Sequence, residues 1–285
     1  MASLSATDLF SVNGLVAVIT GGGTGIGLMM AKAFEANGAK VYIVGRRLEV
    51  LEKAAKEAKH GKIIPLQGDV SVKGDLARIV ETIEKADGFI NVLVANSGIG
   101  GPSISGLKPN SSLSEFRDAL WATDAEAFTH TYHVNTSAVY FTILAFLNLL
   151  GAGNAKGNVD QKSQVIATSS IGAYNRSPLA GYAYGTSKAA VLHMLKQFST
   201  SLVPYDIRSN VIAPGFYPSE LASASISRLS DEGKFPKSAV PLQRAGTEED
   251  MAGTILYLTS RGSAYLNGNV IVTDGGRLSV IPSTY

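Results

Sequence analysis

A tyrosine and a lysine stand four residues apart in the run YGTSK, which extends from Tyr184 to Lys188. Residues at this spacing lie on one face of an α-helix, so the phenol and the ammonium can act on the same small volume. A phenol with an ordinary pKa near ~10 is a poor base at neutral pH, but a cation close by lowers that pKa. The pair therefore predicts an acid/base tyrosine whose pKa is lowered by Lys188; a solvated helix face is the alternative interpretation.

A glycine-rich turn, TGGGTGIG from Thr20 to Gly27, follows a short apolar run and precedes a helical pattern. Gly21, Gly25 and Gly27 would allow a tight turn, close approach of a pyrophosphate to the backbone, and packing of the helix on the sheet. The helix N-terminus would supply free N–H donors and the positive end of the helix dipole. The turn predicts a dinucleotide site and not a Walker A loop, which needs a Lys-Ser/Thr pair after its last glycine; a flexible connection is the alternative.

Two arginines, Arg46 and Arg47, follow Gly45 at the end of the second predicted strand. At this place a dinucleotide site distinguishes a ribose 2′-OH from a 2′-phosphate. An acidic residue would accept from the 2′-OH, whereas Gly45 leaves space and Arg46 offers a permanently charged, planar donor fork. The pattern favours NADP(H) over NAD(H); an exposed helix start is the alternative.

In order and spacing, these motifs resemble the short-chain dehydrogenase/reductase family, with its TGxxxGxG turn and YxxxK pair. The resemblance extends from Thr20 to Gly276, which is almost the whole chain. It implies four catalytic residues, namely Asn135, Ser170, Tyr184 and Lys188.

Two of these four assignments have alternatives. The resemblance places Ser170 at the end of the strand before the tyrosine, where a hydroxyl can donate to a substrate oxygen and stabilise its developing charge. Ser169 is the alternative, because Ser170 lies one residue further from Tyr184 than is commonest in the family. Asn135 matches an asparagine that in relatives holds a water linking the lysine to solvent; otherwise it is a satisfied polar group of the core.

The resemblance also implies a set of cofactor-binding residues. Asp69 and Val70 stand at the adenine-contacting position, NSG at 96–98 resembles an NAG element, and NVIAPGFYPS at 210–219 resembles an NxxxPGxxxT element. The implied set comprises Gly21, Gly23, Thr24, Gly25, Ile26, Gly27, Arg46, Arg47, Asp69, Val70, Asn96, Gly98, Tyr184, Lys188, Pro214, Gly215, Tyr217 and Ser219.

Short apolar runs alternate with helical patterns along the chain, as expected for strands buried on both faces and the helices that cover them. Because parallel neighbours need crossovers, this alternation predicts a three-layer, doubly wound α/β Rossmann fold with a seven-stranded parallel sheet, in a single domain spanning 1–285. The predicted strands are 15–20, 40–44, 63–66, 91–95, 163–168, 207–213 and 269–272; the predicted helices include 26–37, 46–60, 71–86, 134–150, 181–203 and 247–260.

Three irregular stretches interrupt this alternation. Residues 100–114 are rich in Gly, Pro, Ser and Asn, and residues 151–162 are polar with three glycines, so both are predicted to be surface loops. Residues 216–244 are rich in serine and contain prolines, which suggests a mobile lid over the substrate.

The composition excludes several classes of function. Lys plus Arg number 25 against 23 Asp plus Glu, which is too balanced for a nucleic-acid surface. The chain has no cysteine, and His130 and His133 lack a third ligand, so no metal site is expected. The apolar stretch 137–153 is shorter than a membrane span and is interpreted as a core helix. No export signal is recognised at the start of the sequence, and a cytoplasmic protein is expected.

The resemblance implies an NADP(H)-dependent oxidoreductase that interconverts a ketone and a secondary alcohol, in a homodimer or homotetramer. Hydride would pass from the nicotinamide to the carbonyl carbon, Tyr184 would protonate its oxygen, Ser170 would hold that oxygen, and Lys188 would grip the ribose. A medium-sized, partly apolar substrate is expected, in a pocket formed by residues after Gly100 and by Tyr174, Tyr182, Phe216 and Tyr217. The alternatives are a non-catalytic dinucleotide-binding sensor or scaffold, and a cyclase, dehydratase or epimerase on the same fold.

Overall fold

The computed structural model describes residues 3–103, 110–178, 180–230 and 234–285. The strands in this part of the chain are β1 (Val16–Thr20), β2 (Lys40–Gly45), β3 (Ile63–Gln67), β4 (Val92–Ala95), β5 (Gln164–Thr168), β6 (Arg208–Pro214) and β7 (Val270–Thr273). They form a parallel sheet in the order β3-β2-β1-β4-β5-β6-β7, which confirms the predicted fold. The strand order reverses between β1 and β4, and in such sheets a crevice opens beyond the carboxyl ends of these two strands.

Helices cover both faces of the sheet. The helices are α1 (Ala6–Leu9), α2 (Gly25–Ala36), α3 (Leu48–Ala55), α4 (Lys73–Ala86), α5 (Leu113–Trp121), α6 (Ala125–Tyr132), α7 (Ala138–Lys156), α8 (Tyr182–Ser201), α9 (Ser223–Leu229) and α10 (Glu248–Thr259). One apolar core lies beneath α4, α7 and α8, and a second lies beneath α2, α3 and α10.

The central strand β1 shows why the apolar runs are unbroken. Val16 and Val18 face the first core, whereas Ala17 and Ile19 face the second. Successive side chains of a strand point to opposite faces, so a strand with helices on both sides needs apolar residues at every position.

The predicted loop at 151–162 is wrong in its first half, because helix α7 continues to Lys156 and ends at Gly157, whose φ is +59°. Gly153 is buried, and a Cβ there would lie 2.1 Å from the carbonyl oxygen of Ile90. This glycine therefore allows α7 to pack closely on the segment before β4, and it does not mark a loop.

The other two irregular stretches contain more helix than predicted. The stretch 100–114 includes the start of α5, whose N-cap Ser112 forms a capping box with Glu115; its residues 104–109 lie outside the described part. The proposed lid at 216–244 contains α9, and its residues 231–233 are likewise outside the described part. Helices α5 and α6 lie outside the predicted helices.

A π-helical turn, His133–Ser137, joins α6 to α7. The resulting span, Ala125–Lys156, has 32 residues and is the one helix in the described ranges that is long and apolar enough to cross a membrane. Core helices of globular proteins meet the same criterion. Val139, Ile143 and Phe146 are buried in the first core, as a core helix requires.

Candidate active site

A cleft of about 540 Å³ lies at the carboxyl ends of the strands. Every residue predicted to bind the cofactor lines it, together with Ser169 and Ser170. Asn135 is not on its wall. The structure thus brings together, at one edge of the sheet, residues that are distributed from Gly21 to Ser219 in the sequence.

The glycine turn forms one wall of this cleft. Gly21 and Gly25 have φ angles of +65° and +51°, which disfavour other residues. A Cβ on Gly27 would lie 2.2 Å from the carbonyl oxygen of Gly21, so only glycine allows α2 to start this close to the turn. The side chain of Asn96 donates to the carbonyl oxygens of Thr20 (2.9 Å) and Gly21 (3.3 Å) and thereby fastens the turn to the end of β4.

The same wall presents polar groups without partners among the described residues. The N-cap Thr24 makes no side-chain bond to the start of α2, and the Leu28 N–H is the first of the helix to reach a carbonyl, that of Thr24. The hydroxyl of Thr168, a buried residue on the cleft wall, also has no partner. Free helix N–H groups beside a glycine cradle bind phosphate, so this wall fits the pyrophosphate of a dinucleotide.

The far end of the cleft is basic. Arg46 is exposed, and no hydrogen bond or ion pair of its guanidinium is present among the described residues. Arg47 pairs instead with Glu220, at 2.9 Å. Burial raises the pKa of Asp69, but hydrogen bonds from Ser71 and the charge of Arg46 outweigh it and leave that pKa below its ordinary value. Arg46 is therefore the free cation available to an incoming anion at this end.

Lys188 lies at the other end of the cleft, almost fully buried at 3% exposure. Its Nζ donates to the carbonyl oxygen of Thr168 at 2.9 Å. A Cβ on Gly98 would lie 3.2 Å from both this Nζ and the Oδ1 of Asn135, so glycine keeps this corner open. Burial lowers the pKa of Lys188 to about 8.

Tyr184 and Ser170 meet beside Gly172. A Cβ on Gly172 would lie 3.3 Å from both the Oγ of Ser170 and the Cε1 of Tyr184. Burial raises the pKa of Tyr184, and a side-chain hydrogen bond with Ser170 partly offsets the rise. The predicted lowering of this pKa by Lys188 is wrong, because desolvation dominates and the Lys188 ammonium donates to the Thr168 carbonyl.

The two candidate serines have different partners. The hydroxyl of Ser169 is buried and donates to the carbonyl oxygen of Lys188 at 2.8 Å, which fastens β5 to α8. The hydroxyl of Ser170 accepts from the Gly172 N–H at 3.0 Å and also contacts Tyr184. Ser170 is therefore the serine whose hydroxyl stands beside the phenol.

Asn135 is fully buried in the π-helical turn. Its Oδ1 accepts from the Ile99 N–H at 2.8 Å, and its Nδ2 donates to the Ile99 carbonyl (2.9 Å) and to the Oγ of Ser187 (3.1 Å). These bonds use both ends of the amide. The side chain thus has the partners of a satisfied core group, and it fixes the loop after β4 against α8.

Most of the aromatic residues expected around the substrate point elsewhere. Tyr217 is 2% exposed, and its hydroxyl is 2.6 Å from the Oγ1 of Thr273. Phe216 stacks on Phe235 with ring centroids 5.3 Å apart, outside the cleft. Neither Tyr174, which packs on Tyr285, nor the exposed Tyr182 lines the cleft. The predicted aromatic pocket is therefore wrong for Tyr174, Tyr182 and Phe216, whereas Tyr217 lines the cleft although its hydroxyl is directed to Thr273.

Other residues form the substrate end. Sequence reasoning missed five of them as site residues, namely Ile99, His130, Val134, Leu221 and Ala222. The histidine was expected to be a packing or surface residue, and a pair spaced like His130 and His133 gives no signal that one of them faces a cleft. Among the described residues, no group of three His, Asp or Glu side chains could hold a metal ion. The walls here are Ile99, Gly100, His130, Val134, Leu221 and Ala222.

The buried lysine leads to a pH-dependent prediction. Its pKa is lower in the folded chain than in the unfolded chain, so between about pH 8 and pH 10.5 the unfolded chain binds more protons and this group adds stability as the pH rises. One pKa unit corresponds to about 1.4 kcal/mol. We expect the free energy of unfolding of the wild type, relative to Lys188→Met, to rise by about 2–3 kcal/mol between pH 7 and pH 10.

Denaturant unfolding of both ligand-free proteins at the two pH values measures this difference. Lys196→Met changes an exposed lysine on the same helix and is the matched control, for which no such trend is expected. A constant difference between wild type and Lys188→Met across the range would contradict the prediction.

Comparison with known proteins finds relatives of this chain over almost its whole length. A family model described as enoyl-(acyl carrier protein) reductase matches residues 21–277. The chain is 60% identical over 287 residues to the short-chain dehydrogenase/reductase PhomF of Diaporthe leptostromiformis, and the match covers 99% of this chain and 98% of the relative.

Two solved structures, each 28% identical to this chain, share its fold. The Pseudomonas aeruginosa RhlG/NADP active-site complex has a TM-score of 0.79 and covers 94% of this chain and 98% of that one. The NADPH-dependent 3-quinuclidinone reductase of Rhodotorula rubra has a TM-score of 0.75 and covers 98% and 97%. The chain therefore belongs to the short-chain dehydrogenase/reductase family.

Proposed function

We propose that this protein is an NADP(H)-dependent oxidoreductase that interconverts a ketone and a secondary alcohol. The observation that carries the proposal is the placement of the Ser170 and Tyr184 side chains beside Gly172, at one end of a cleft whose other end holds Arg46. The glycine turn between the two ends fits a pyrophosphate. The two solved relatives described above, one an NADP complex and one an NADPH-dependent reductase, support the choice of cofactor.

In the reductive direction, Tyr184 acts as the general acid. Its raised pKa keeps the phenol protonated at neutral pH, so it can donate its proton to a substrate carbonyl oxygen. The Ser170 hydroxyl, beside the phenol, donates a second hydrogen bond to that oxygen and stabilises its developing negative charge. Lys188 offers its N–H donors to the ribose hydroxyls, and Asn135 holds the adjoining loop. The bound nicotinamide supplies the hydride.

The walls of the substrate end suggest its preference. Ile99, Val134 and Leu221 are apolar, and His130 adds one polar group. We infer a medium-sized, partly apolar ketone or alcohol.

A panel of ketones incubated with NADPH, followed at the NADPH absorbance, tests this function. Consumption of NADPH in proportion to product supports it. Tight dinucleotide binding without turnover on any ketone would favour a sensor or scaffold. Turnover without net NADPH consumption would favour a cyclase, dehydratase or epimerase.

Arg46 leads to the prediction on cofactor choice. Its guanidinium can form charge-assisted hydrogen bonds to a 2′-phosphate, which at this exposed position are together worth about 1.5–3 kcal/mol. Arg46→Ala should therefore lower kcat/KM with NADPH by about 10- to 100-fold and leave kcat/KM with NADH nearly unchanged. Steady-state kinetics with both cofactors measures this, with Lys53→Ala as a matched loss of charge on the following helix. Equal use of NADH and NADPH by both the wild type and Arg46→Ala would refute the 2′-phosphate argument.

We further propose that residues 1–285 form one cytoplasmic domain that assembles as a homodimer or homotetramer. The outer face of α7 carries Tyr140 and Leu144, which are 42% and 39% exposed, next to the partly buried Phe141 and Leu147. Such an apolar face is compatible with an interface between copies. A monomer in analytical ultracentrifugation at micromolar concentration would overturn the oligomeric part.

A further inference from the structure

Three consecutive residues, Ser219, Glu220 and Leu221, lie across the mouth of the cofactor cleft; we call them the strap. The Cβ of Ser219 lies 2.8 Å from the place that a Cβ on Gly25 would occupy. A Cβ on Gly100 would lie 3.2 Å from the Cδ1 of Leu221. The strap thus touches the start of α2 at one end and the loop after β4 at the other, and all three of its residues line the cleft.

Between these contacts, Glu220 ties the strap to the end of β2. The Nη2 of Arg47 donates to both carboxylate oxygens of Glu220, at 3.1 and 2.9 Å. The side chains of Arg47 and Glu220 are 54% and 65% exposed, so water screens their attraction and either partner can be replaced readily. It is an ion pair that a stronger anion can displace.

The position of this pair matters because Arg46 is its immediate neighbour in the chain. Arg46 and Arg47 both line the cleft, and Glu220 is an acidic residue on the same wall. A phosphate monoester carries about −1.5 to −2 charges at neutral pH, against −1 for a carboxylate, and accepts guanidinium donors at least as well. A 2′-phosphate bound at Arg46 would compete with Glu220 for the guanidinium of Arg47.

We propose that Glu220 is a specificity-determining residue of the cofactor site, which weakens the binding of 2′-phosphorylated dinucleotides by occupying Arg47. The 2′-phosphate releases the strap when it takes Arg47 from Glu220. NAD⁺, which has no 2′-phosphate, leaves the pair intact. This inference rests on the proposed function, since it requires a dinucleotide in the cleft.

Titration calorimetry of the ligand-free protein with NADP⁺ and with NAD⁺ tests the proposal. Glu220→Gln keeps the size of the side chain and removes its charge. We expect its Kd for NADP⁺ to fall by about three- to fivefold at low ionic strength, and its Kd for NAD⁺ to change by less than about 1.5-fold. The gain for NADP⁺ should vanish near ~0.5 M salt, where the screening length is only a few ångströms.

Two further variants separate this role from a general effect of charge. Glu49→Gln removes an exposed carboxylate in the first turn of α3 that does not line the cleft, and it should leave both dissociation constants nearly unchanged. In an Arg47→Ala background, Glu220→Gln should lose most of its effect on NADP⁺, because the two residues act as a coupled pair.

The outcomes are distinct. Equal shifts for NADP⁺ and NAD⁺ in Glu220→Gln, a weaker affinity for NADP⁺, or a full effect that persists without Arg47 would each overturn the role of Glu220 and leave the proposed function standing. Failure of the wild type to bind either dinucleotide would overturn the proposed function and, with it, this inference.

Discussion

Replacement of Tyr184 by phenylalanine should lower kcat by about 10²- to 10⁴-fold, the range that one positioned general acid contributes. The substitution removes one oxygen atom and leaves the ring, which packs beside Gly172, in place. Phenylalanine has no O–H to donate, so the substrate oxygen beside Ser170 loses its general acid. The Kd for NADP⁺ should change by less than about threefold, since the glycine turn and Arg46 lie elsewhere in the cleft.

Tyr182→Phe is the matched control for this prediction. Tyr182 begins the same helix, is 44% exposed and does not line the cleft, so its hydroxyl should have little influence on kcat. Single-turnover kinetics on the best substrate of the panel, together with the Kd for NADP⁺, measures both variants. Undiminished turnover by Tyr184→Phe would refute the proton-transfer role, and an equal loss in Tyr182→Phe would indicate damage to α8 and not to the chemistry.

The fold could be predicted from the sequence because every strand has the same requirement, namely apolar side chains on both of its faces. A strand such as β1 is covered on both faces, so its positions from Val16 to Ile19 are all apolar, and glycines follow its end. The order of the strands follows once they are parallel and connected by right-handed crossovers. The glycine turn was predictable for a similar reason, since its backbone angles and close contacts leave little choice of residue.

Side-chain direction could not be predicted in the same way. Phe216 and Tyr217 follow the Pro-Gly pair at the end of β6, where no periodicity fixes which ring faces the cleft. The structure turns Tyr217 toward Thr273 and Phe216 toward Phe235. The same limit applies to His130, because an exposed histidine on a short helix has the same local sequence whether it faces solvent or a cleft.

The pKa shifts could not be predicted from the spacing of residues in the sequence either. The YxxxK pattern places Tyr184 and Lys188 on one helix face, but it says nothing of how deeply they are buried. Burial raises the pKa of Tyr184 and lowers that of Lys188 to about 8, so both groups are shifted toward their neutral forms. A cation near the phenol could favour tyrosinate only if it outweighed that desolvation, and the ammonium instead donates to the Thr168 carbonyl.

The second large effect is expected at Gly27. Gly27→Ala places a methyl group 2.2 Å from the carbonyl oxygen and 2.9 Å from the carbonyl carbon of Gly21, and both of these are backbone atoms that no rotamer change can move. Either α2 or the glycine turn must therefore shift, and overpacking of this kind costs about 1–3 kcal/mol of stability. The shift also moves the free N–H groups at the start of α2 away from the turn. We expect the Kd for NADP⁺ to rise by at least about tenfold, which corresponds to about 1.4 kcal/mol.

Gly253→Ala is the control, because it adds a methyl group where there is space for one. It tests whether the close contact at Gly27 causes the expected losses of stability and affinity. Gly253 lies inside α10 with no atom within 4 Å of a Cβ added there, so alanine should stabilise the helix by about 0.5–1 kcal/mol and leave NADP⁺ binding unchanged. Denaturant unfolding and calorimetric titration with NADP⁺ measure both variants. If Gly27→Ala were as stable as the wild type and bound NADP⁺ as tightly, the close contact between Gly27 and Gly21 would not be what holds the phosphate-binding turn in place. If it lost stability but kept its affinity, the contact would matter for folding alone, and the start of α2 would not be the phosphate site.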